Sequence, residues 1–339
     1  MNDTLNVITI PAVEEAPFAS IIGQESAKKK LNFYLDSYQS TRMMPNAVLV
    51  SPKGCGKTLL AKEIGRRLIQ FDLDGNPMIH PTTNKNTIKP FVEINCSSIK
   101  NVKQFINSVI VPYVADKDVT LFLDECSELP HDVSMALLTM LNPNETNRTT
   151  FSHDEYVCEF DFRRQTFLLA TSEVHSVFHA LLDRLTRVDL AEYSHDNLMA
   201  IVKKHTPNVN YEDGVLEKIV TVLRGNARSA VMFAKDILAY LKTSTVFMHD
   251  DWNSMRQIFS IAPLGLTAIE LGVLRFLAER PDGTSLTALS AKTGMSRDAL
   301  QRDTELMLQK NNLMEIQAGK GRVLTAKGLD YLKQLSSDA

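Results

Sequence analysis

The sequence predicts an α/β domain built on a parallel sheet, followed by a helical domain and a C-terminal winged helix. Three observations carry this. Short apolar strands alternate with helical patterns as far as Tyr193. The stretch SPKGCGKT (51–58) joins one such strand to a helix, the setting of a phosphate-binding loop. From Thr284 onward, two helical patterns lead into two short strands around Gly-Lys-Gly-Arg.

The elements follow in order. Residues 1–17 are polar, hold two prolines and read as a mobile arm. Apolar positions at helical spacing predict a helix over 25–39, and NAVLVS (46–51) predicts a strand entering the loop. Helical periodicity resumes over 58–71. The Asn-, Thr- and Pro-rich stretch 72–90 reads as a long surface loop. FVEINCSS (91–98) is a strand, followed by a helix around 100–113. VTLFLDE (119–125) is a continuous apolar strand ending in two acids, as suits the centre of a parallel sheet. A helix covers 131–141. Residues 149–162 alternate around a polar tip, Ser152–Glu155, and predict a hairpin. TFLLATSE (166–173) is another buried strand. Strand signals then stop, and 195–258 reads as all-helical. Helices are expected at 267–280, 285–293 and 296–312, with Gly294 at the turn and Ser296 as N-cap. The expected domains are an arm (1–17), a large α/β domain (18–192), a helical lid (193–258) and a winged helix (259–335).

Composition narrows the function. A chain of 339 residues suggests two or three domains, and 44% hydrophobic residues fill their cores. The net charge of −3 excludes a protein that coats nucleic acid with its whole surface, so any DNA contact must be local. Cys55, Cys96, Cys126 and Cys158 show no C-x-x-C spacing and no completing histidine pair, which argues against a zinc site and for buried, reduced thiols. The N-terminus lacks the pattern of a signal peptide, and no apolar run approaches ~18 residues. A cytoplasmic protein with no membrane contact is expected.

Chemistry concentrates in two motifs. Against the template G-x-x-x-x-G-K-[ST], the residues Gly54, Cys55, Gly56, Lys57 and Thr58 fill the part that touches phosphate. Their N–H groups can face an anion at the positive end of a helix. Lys57 would reach the β- and γ-phosphates of ATP, and the Thr58 hydroxyl would bind Mg²⁺. The binding stretch is taken to run on through Leu59. Only the first glycine is changed, to Ser51, which fits if its φ stays negative. Ser51→Gly is therefore expected to alter ATP affinity little, and Lys57→Ala to abolish activity. Asp124 and Glu125 supply the second half. Asp124 would hold the Mg²⁺ shell, and Glu125 would polarise the attacking water.

In this order, with ATSE and LLDRLTRV after the acids, the sequence resembles the AAA+ ATPases. The closer resemblance is to RuvB, the Holliday-junction branch-migration motors. IIGQESAKKKL, LLATSEVHSVFHALLDRLTRVDLAEY, LRGNARSAVMFAKDI and LQKNNLMEIQAGKGRVLTAKG carry it. The resemblance implies that Ile21 and Ile22 line an adenine pocket with Tyr193. It implies that Thr171 and Ser172 stand by the γ-phosphate as sensor 1, and that Arg228 is the sensor-2 arginine. Arg184 would be the arginine finger given to a neighbouring subunit, with Arg187 its near rival. Asn95 would be a switch residue restraining Glu125. A finger acting across an interface implies a homo-oligomeric ring, expected to be a hexamer.

The resemblance also implies a target. Lys320, Arg322 and Lys327 collect in the wing and would grip the backbone of double-stranded or branched DNA. Acids beside Arg297 and Arg302 argue against reading the major groove. The hairpin at 149–162, with Phe151, Tyr156 and Val157, is where a RuvA-like junction-binding partner would dock. The sequence departs from the family in a shorter hairpin, extra length at 72–90, LLDRLTR for LRDRFG, and Ala227 where proline is usual. A divergent, phage-borne relative fits these departures. The competing expectation is a clamp-loader-like or regulatory AAA+ ATPase that remodels a protein partner on DNA.

Overall fold

The structure is a computed structural model and describes residues 5–8, 16–72, 74–141, 148–153, 156–162 and 164–337. Two compact units emerge. One takes in Met1–Asn208 and Gly225–Ala239, the other Val209–Arg224 and Tyr240–Ala339.

The first unit holds eight strands: β1 (Leu5–Ile8), β2 (Ala47–Val50), β3 (Phe91–Asn95), β4 (Thr120–Asp124), β5 (Arg148–His153), β6 (Tyr156–Asp161), β7 (Thr166–Thr171) and β8 (Thr186–Asp189). Six form one sheet in the order β1-β3-β4-β7-β2-β8. All neighbours are parallel except β1, which runs antiparallel along β3. Every residue of β2 and of β7 is buried, which is why these strands read as unbroken apolar runs rather than alternating ones. The helices of this part are α1 (Glu25–Thr41), α2 (Lys57–Gly65), α3 (Val102–Phe105), α4 (His131–Met140), α5 (His179–Leu182) and α6 (His195–His205). Because the strands are parallel, the carboxyl ends of β2, β4 and β7 share one edge of the sheet, the edge at which such folds bind ligands.

Several expectations need correction. Leu5–Ile8 is not part of a mobile arm. Its backbone pairs with β3, Leu5 opposite Ile94 and Ile8 opposite Phe91. The stretch 72–90 is not a plain loop. Bridges Ile69–Ile88, Phe71–Pro77 and Ile79–Asn86, with Met78 N–H donating to Gln70 O at 2.9 Å and Thr87 N–H to Met78 O at 2.7 Å, fold it into a ribbon. The helix expected around 100–113 is α3 followed by a π-helix, Ile106–Val114. Pro112 lies inside it and has no N–H to give, and Ala115 N–H closes the wider turn on Ile110 O. Strands β5 and β6 form the expected hairpin, His153 opposite Tyr156. Its tip at Asp154 and Glu155, and the side chains of Phe151, Tyr156 and Val157, lie outside the described residues.

The segment after Tyr193 is not all-helical. Strands β9 (Asn210–Tyr211) and β10 (Val246–Phe247) pair in parallel. The helices of this segment are α7 (Val215–Thr221), α8 (Ala227–Leu241) and α9 (His249–Ile258). The compact units also do not divide at 193. Residues 225–239 belong with the α/β unit.

The C-terminal part has α10 (Ala268–Ala278), α11 (Leu286–Thr293), α12 (Arg297–Ala299) and α13 (Leu306–Lys310). Strands β11 (Met314–Gln317) and β12 (Gly321–Leu324) and helix α14 (Ala326–Ser337) complete it. Ser285 and Ser296 cap their helices through N–H groups of Ala288 and Ala299, and Gly294 turns the chain at φ 73°. Leu274, Leu289, Leu300, Leu308 and Leu313 are fully buried and form the core of this winged helix. The expected single helix over 296–312 is interrupted by a π-helical stretch, Leu300–Glu305, in which Thr304 and Glu305 both turn inward.

Candidate active site

The loop after β2 is shaped by two glycines. Gly54 has φ 81° and Gly56 φ 95°, conformations that cost a side chain dearly, and Ser51 is not among the positive-φ residues. The chain then enters α2 at Lys57, so the unpaired N–H groups of that nine-residue helix open onto the loop. A cavity of about 310 Å³ lies there, lined by Lys57, Thr58, Asp124, Glu125, Ser172 and Arg228, with Gly54, Gly56 and Leu59 at its wall. Three separate strand ends and two helix starts, those of α2 and α8, therefore converge on it.

Within the cavity, Thr58 Oγ1 donates to Asp124 Oδ2 at 3.1 Å, and Asp124 Oδ1 accepts the Glu125 N–H at 3.0 Å. Glu125 itself has φ 55° and ψ 49°, a left-handed backbone that a non-glycine residue adopts under strain, and strain of this kind clusters at functional sites. Lys57 Nζ donates to Ser51 O at 2.9 Å and to Pro52 O at 3.2 Å. Burial pushes its ammonium below the ordinary 10.5. Cys55, Asp124 and Glu125 pull it back up, and Arg228 adds to the fall.

Other expected residues stand apart from the cavity. Ile21 is buried, Ile22 half-buried, and Tyr193 is 7% exposed. The Tyr193 hydroxyl lies 3.3 Å from where a Cβ on Gly56 would stand, and its ring 3.1 Å from the same point on Gly23. Tyr193 thus packs against the loop at Gly56. Cys55 is buried beneath it. Arg184 is exposed, outside the cavity, with Nη1 on Ala180 O at 2.8 Å. Its rival Arg187 is tied to Asp189 at 2.7 Å. Asn95 pairs across the sheet with Asp124, but its side-chain oxygen accepts from Ser97 N–H at 3.0 Å and Ser97 Oγ at 2.8 Å, capping the turn that follows β3. Thr171 is fully buried and takes the Glu173 N–H on its hydroxyl.

Two residues were missed in the sequence. Gln24 is 8% exposed. It donates to Ala191 O at 2.8 Å, accepts Ala191 N–H at 3.0 Å and donates to Cys55 O at 3.4 Å, joining the segment before α1 to the loop and to the chain after β8. Its backbone is left-handed, φ 61°, which no local pattern announces. Asn226 donates to Lys53 O at 3.2 Å and accepts Ser229 N–H at 3.1 Å, so the residue that starts α8 also holds the loop. The contact is close: a Cβ on Gly54 would stand 2.0 Å from Asn226 Oδ1. The only hint in the sequence was the position of Asn226 two residues before Arg228.

The wing brings a correction. Lys320 is exposed in the turn between β11 and β12, whereas Lys327, expected in the wing, is exposed in the first turn of α14. Arg322 does not stand free. Its guanidinium makes a two-pronged pair with Glu305, Nε to Oε1 at 2.8 Å and Nη2 to Oε2 at 3.1 Å, with side-chain exposures of 13% and 3%. The π-helical stretch carries Glu305 to it from 17 residues away. A larger cavity of about 670 Å³ lies at the N-terminal ends of β3 and β4, lined by Phe71, Asp72, Tyr113 and Asp118 among others, and holds none of the motif residues.

Comparison with known proteins agrees with this layout. Residues 47–193 match the model of the ATPase family associated with various cellular activities (AAA), and residues 263–333 match the RuvB C-terminal winged helix domain. The Holliday junction branch migration complex subunit RuvB of Thermotoga maritima is 26% identical over 322 residues, 92% of this chain and 89% of its own. The same subunit of Ehrlichia ruminantium (strain Gardel) is 23% identical over 329 residues, 92% and 90% of the two chains. A Lon protease of Desulforamulus reducens is 26% identical over 232 residues, but this chain spans only 27% of its length. The solved Thermotoga maritima RuvB Holliday junction branch migration motor superposes with a TM-score of 0.70 at 22% identity, over 92% of this chain and 95% of that one. No single helix of the described residues is long and apolar enough to cross a membrane. The chain thus carries an AAA ATPase domain over residues 47–193 and a RuvB-type C-terminal winged helix over 263–333, and it resembles RuvB along more than nine-tenths of its length.

Proposed function

We propose that this protein is an ATP-driven motor that moves branched duplex DNA, as the RuvB relatives are named for doing. One observation carries the reading: Lys57, Thr58, Asp124, Glu125, Ser172 and Arg228 share one cavity, in a chain that ends in a RuvB-type winged helix.

The residues divide the work. Loop N–H groups and Lys57 bind the β- and γ-phosphates. Glu125 accepts the proton of the water that attacks the γ-phosphorus, the bond to the β-phosphate oxygen breaks, and ADP and phosphate leave. Ser172 and Arg228 hold γ-phosphate oxygens as charge spreads over them. Arg184, exposed and outside its own cavity, serves the site of a neighbouring copy, so the working form is a closed ring, in our reading a hexamer. Thr58 Oγ1 and Asp124 Oδ2 stand 3.1 Å apart and are the hard oxygen donors Mg²⁺ prefers. Such an ion would neutralise phosphate charge there. Lys320 in the wing and Lys327 at the start of α14 are the cations left to meet DNA phosphates, and the hairpin β5–β6 is the surface proposed for a RuvA-like partner. The site of action is proposed to be the cytoplasm of a bacterium or of a phage-infected one.

A second reading has one observation in its favour. Arg322 is spent inside the domain, which weakens the DNA grip and suits an AAA ATPase that remodels a protein partner. ATPase assays with no DNA, linear duplex and a four-way junction, with particle imaging in an ATP analogue, decide between the two. The motor reading expects rings and the largest stimulation by the junction. Absence of both would leave the remodelling ATPase.

A further inference from the structure

A phosphate loop of this pattern opens on glycine, and here Ser51 takes that place. Ser51 is buried, 4% exposed, beside Lys57 of the same motif. The hydroxyl donates to Pro52 O at 3.0 Å, which leaves its lone pairs for an incoming donor. Lys57 Nζ is that donor, at 3.3 Å. The same ammonium donates to Ser51 O at 2.9 Å and to Pro52 O at 3.2 Å. An ammonium has three N–H bonds, and three acceptors meet it here. Lys57 is therefore fully bonded inside the loop before any phosphate arrives. With glycine at 51, only the two carbonyls would remain.

We propose that Ser51 is a positioning residue that parks Lys57 on the empty loop, so that nucleotide must displace the hydroxyl contact and binds less tightly than it would to a glycine-opened loop. The proposal rests on the reading that the cavity binds ATP. The direction follows from which state the hydroxyl stabilises. In the empty loop the Ser51 hydroxyl supplies the third partner, whereas a bound nucleotide supplies phosphate oxygens in its place, and charge-assisted bonds to phosphate are the stronger ones. Removing the hydroxyl thus costs the empty state more than the filled one. At 3.3 Å the contact is at the weak end of its class, so the effect is a few-fold rather than a thousandfold. This alters the expectation drawn from sequence, in which Ser51→Gly does little.

The test compares the full-length protein with Ser51→Ala and Ser51→Gly. Fluorescent ATP analogue and ADP are titrated in Mg²⁺, and thermal midpoints are taken with and without saturating nucleotide. The proposal expects Ser51→Ala to bind both nucleotides about three- to tenfold tighter, a gain in the range of one hydrogen bond. Ser51→Gly should gain less, because it also loosens the loop. The midpoint should fall for the empty protein and hold for the filled one. A merely structural serine would lower both midpoints alike. Unchanged or weaker binding in both variants, or equal loss of both midpoints, overturns the proposal. Should Ser51→Ala fail to fold, Ser51→Gly carries the test alone, since glycine suits this turn. If the wild-type protein itself binds no nucleotide, the ATPase reading falls first and is seen to fall separately.

Discussion

Lys57 and Glu125 line the same cavity and answer to different tests. Burial holds the Lys57 ammonium below 10.5. Phosphates favour the charged form, so nucleotide must raise that pKa again. Between the empty-site and filled-site values, binding takes up a proton. Affinity should thus be flat below the empty-site pKa and fall as pH rises through it. Calorimetric titration in alkaline buffers of differing ionisation heat reads the proton directly, and zero uptake would contradict the assignment of Lys57 to phosphate. Glu125 makes the complementary prediction. Glu125→Gln keeps the shape but not the base, so ATP binding persists and turnover drops ~10²–10⁴-fold. DNA-stimulated activity left intact in that variant would remove Glu125 from the mechanism. The buried thiols should be silent: burial pushes Cys126 up to about 12 and Cys96 well above its ordinary value. Native protein treated with iodoacetamide at neutral pH should show neither peptide alkylated, and unfolded protein should show both.

At the scale of elements, the loop and α8 are fitted to one another at Gly54. Alanine there must hold φ 81° and place its Cβ 2.0 Å from Asn226 Oδ1. The strain alone is about 1–3 kcal/mol, and Asn226 must also leave Lys53 O. Gly54→Ala should lower the thermal midpoint and weaken nucleotide binding together. Adding Asn226→Ala should return part of the stability, because it removes the clash and leaves the φ penalty. The wing poses a parallel question. Glu305 is nearly buried, and removing one partner of a buried pair costs roughly 3–5 kcal/mol. Arg322→Ala should therefore lower the midpoint of the protein, whereas Lys320→Ala should weaken DNA binding and flatten its salt dependence without touching stability. These cases also mark what the sequence could and could not tell. The loop, Asp124 and Glu125 are legible because their chemistry is fixed by spacing within a few residues. Gln24 with Ala191 is a contact over 167 residues, and Asn226 with Lys53 one over 173, and neither has a local signature. Arg322 looked free because its partner comes from a distorted helix. Strand β1 was missed for a simpler reason: its four residues include Asn6, and only the edge of β3 gives them a place.

For the whole molecule the open position is that of Arg184. It is exposed, bonds within its own helix turn through Ala180 O, and lies outside the cavity that gathers the other catalytic candidates. Such a residue does nothing for catalysis, acts on a neighbouring copy, or serves its own subunit from outside the cavity. The alternatives separate in a mixing experiment. Arg184→Ala chains keep an intact cavity and lack the finger. Lys57→Ala chains lack a working cavity and keep the finger. Each variant alone should be inactive, with losses for the finger on the order of 10³–10⁵ if it behaves as arginine fingers do. Mixed before assembly, they should regain activity, because a Lys57→Ala chain lends its arginine to the Arg184→Ala cavity beside it. Recovery should follow the proportion of such neighbours as the mixing ratio is varied. Full activity of Arg184→Ala alone would make the residue a surface arginine. Two inactive variants that never complement would place it in its own subunit's chemistry, and with that the need for a ring would disappear.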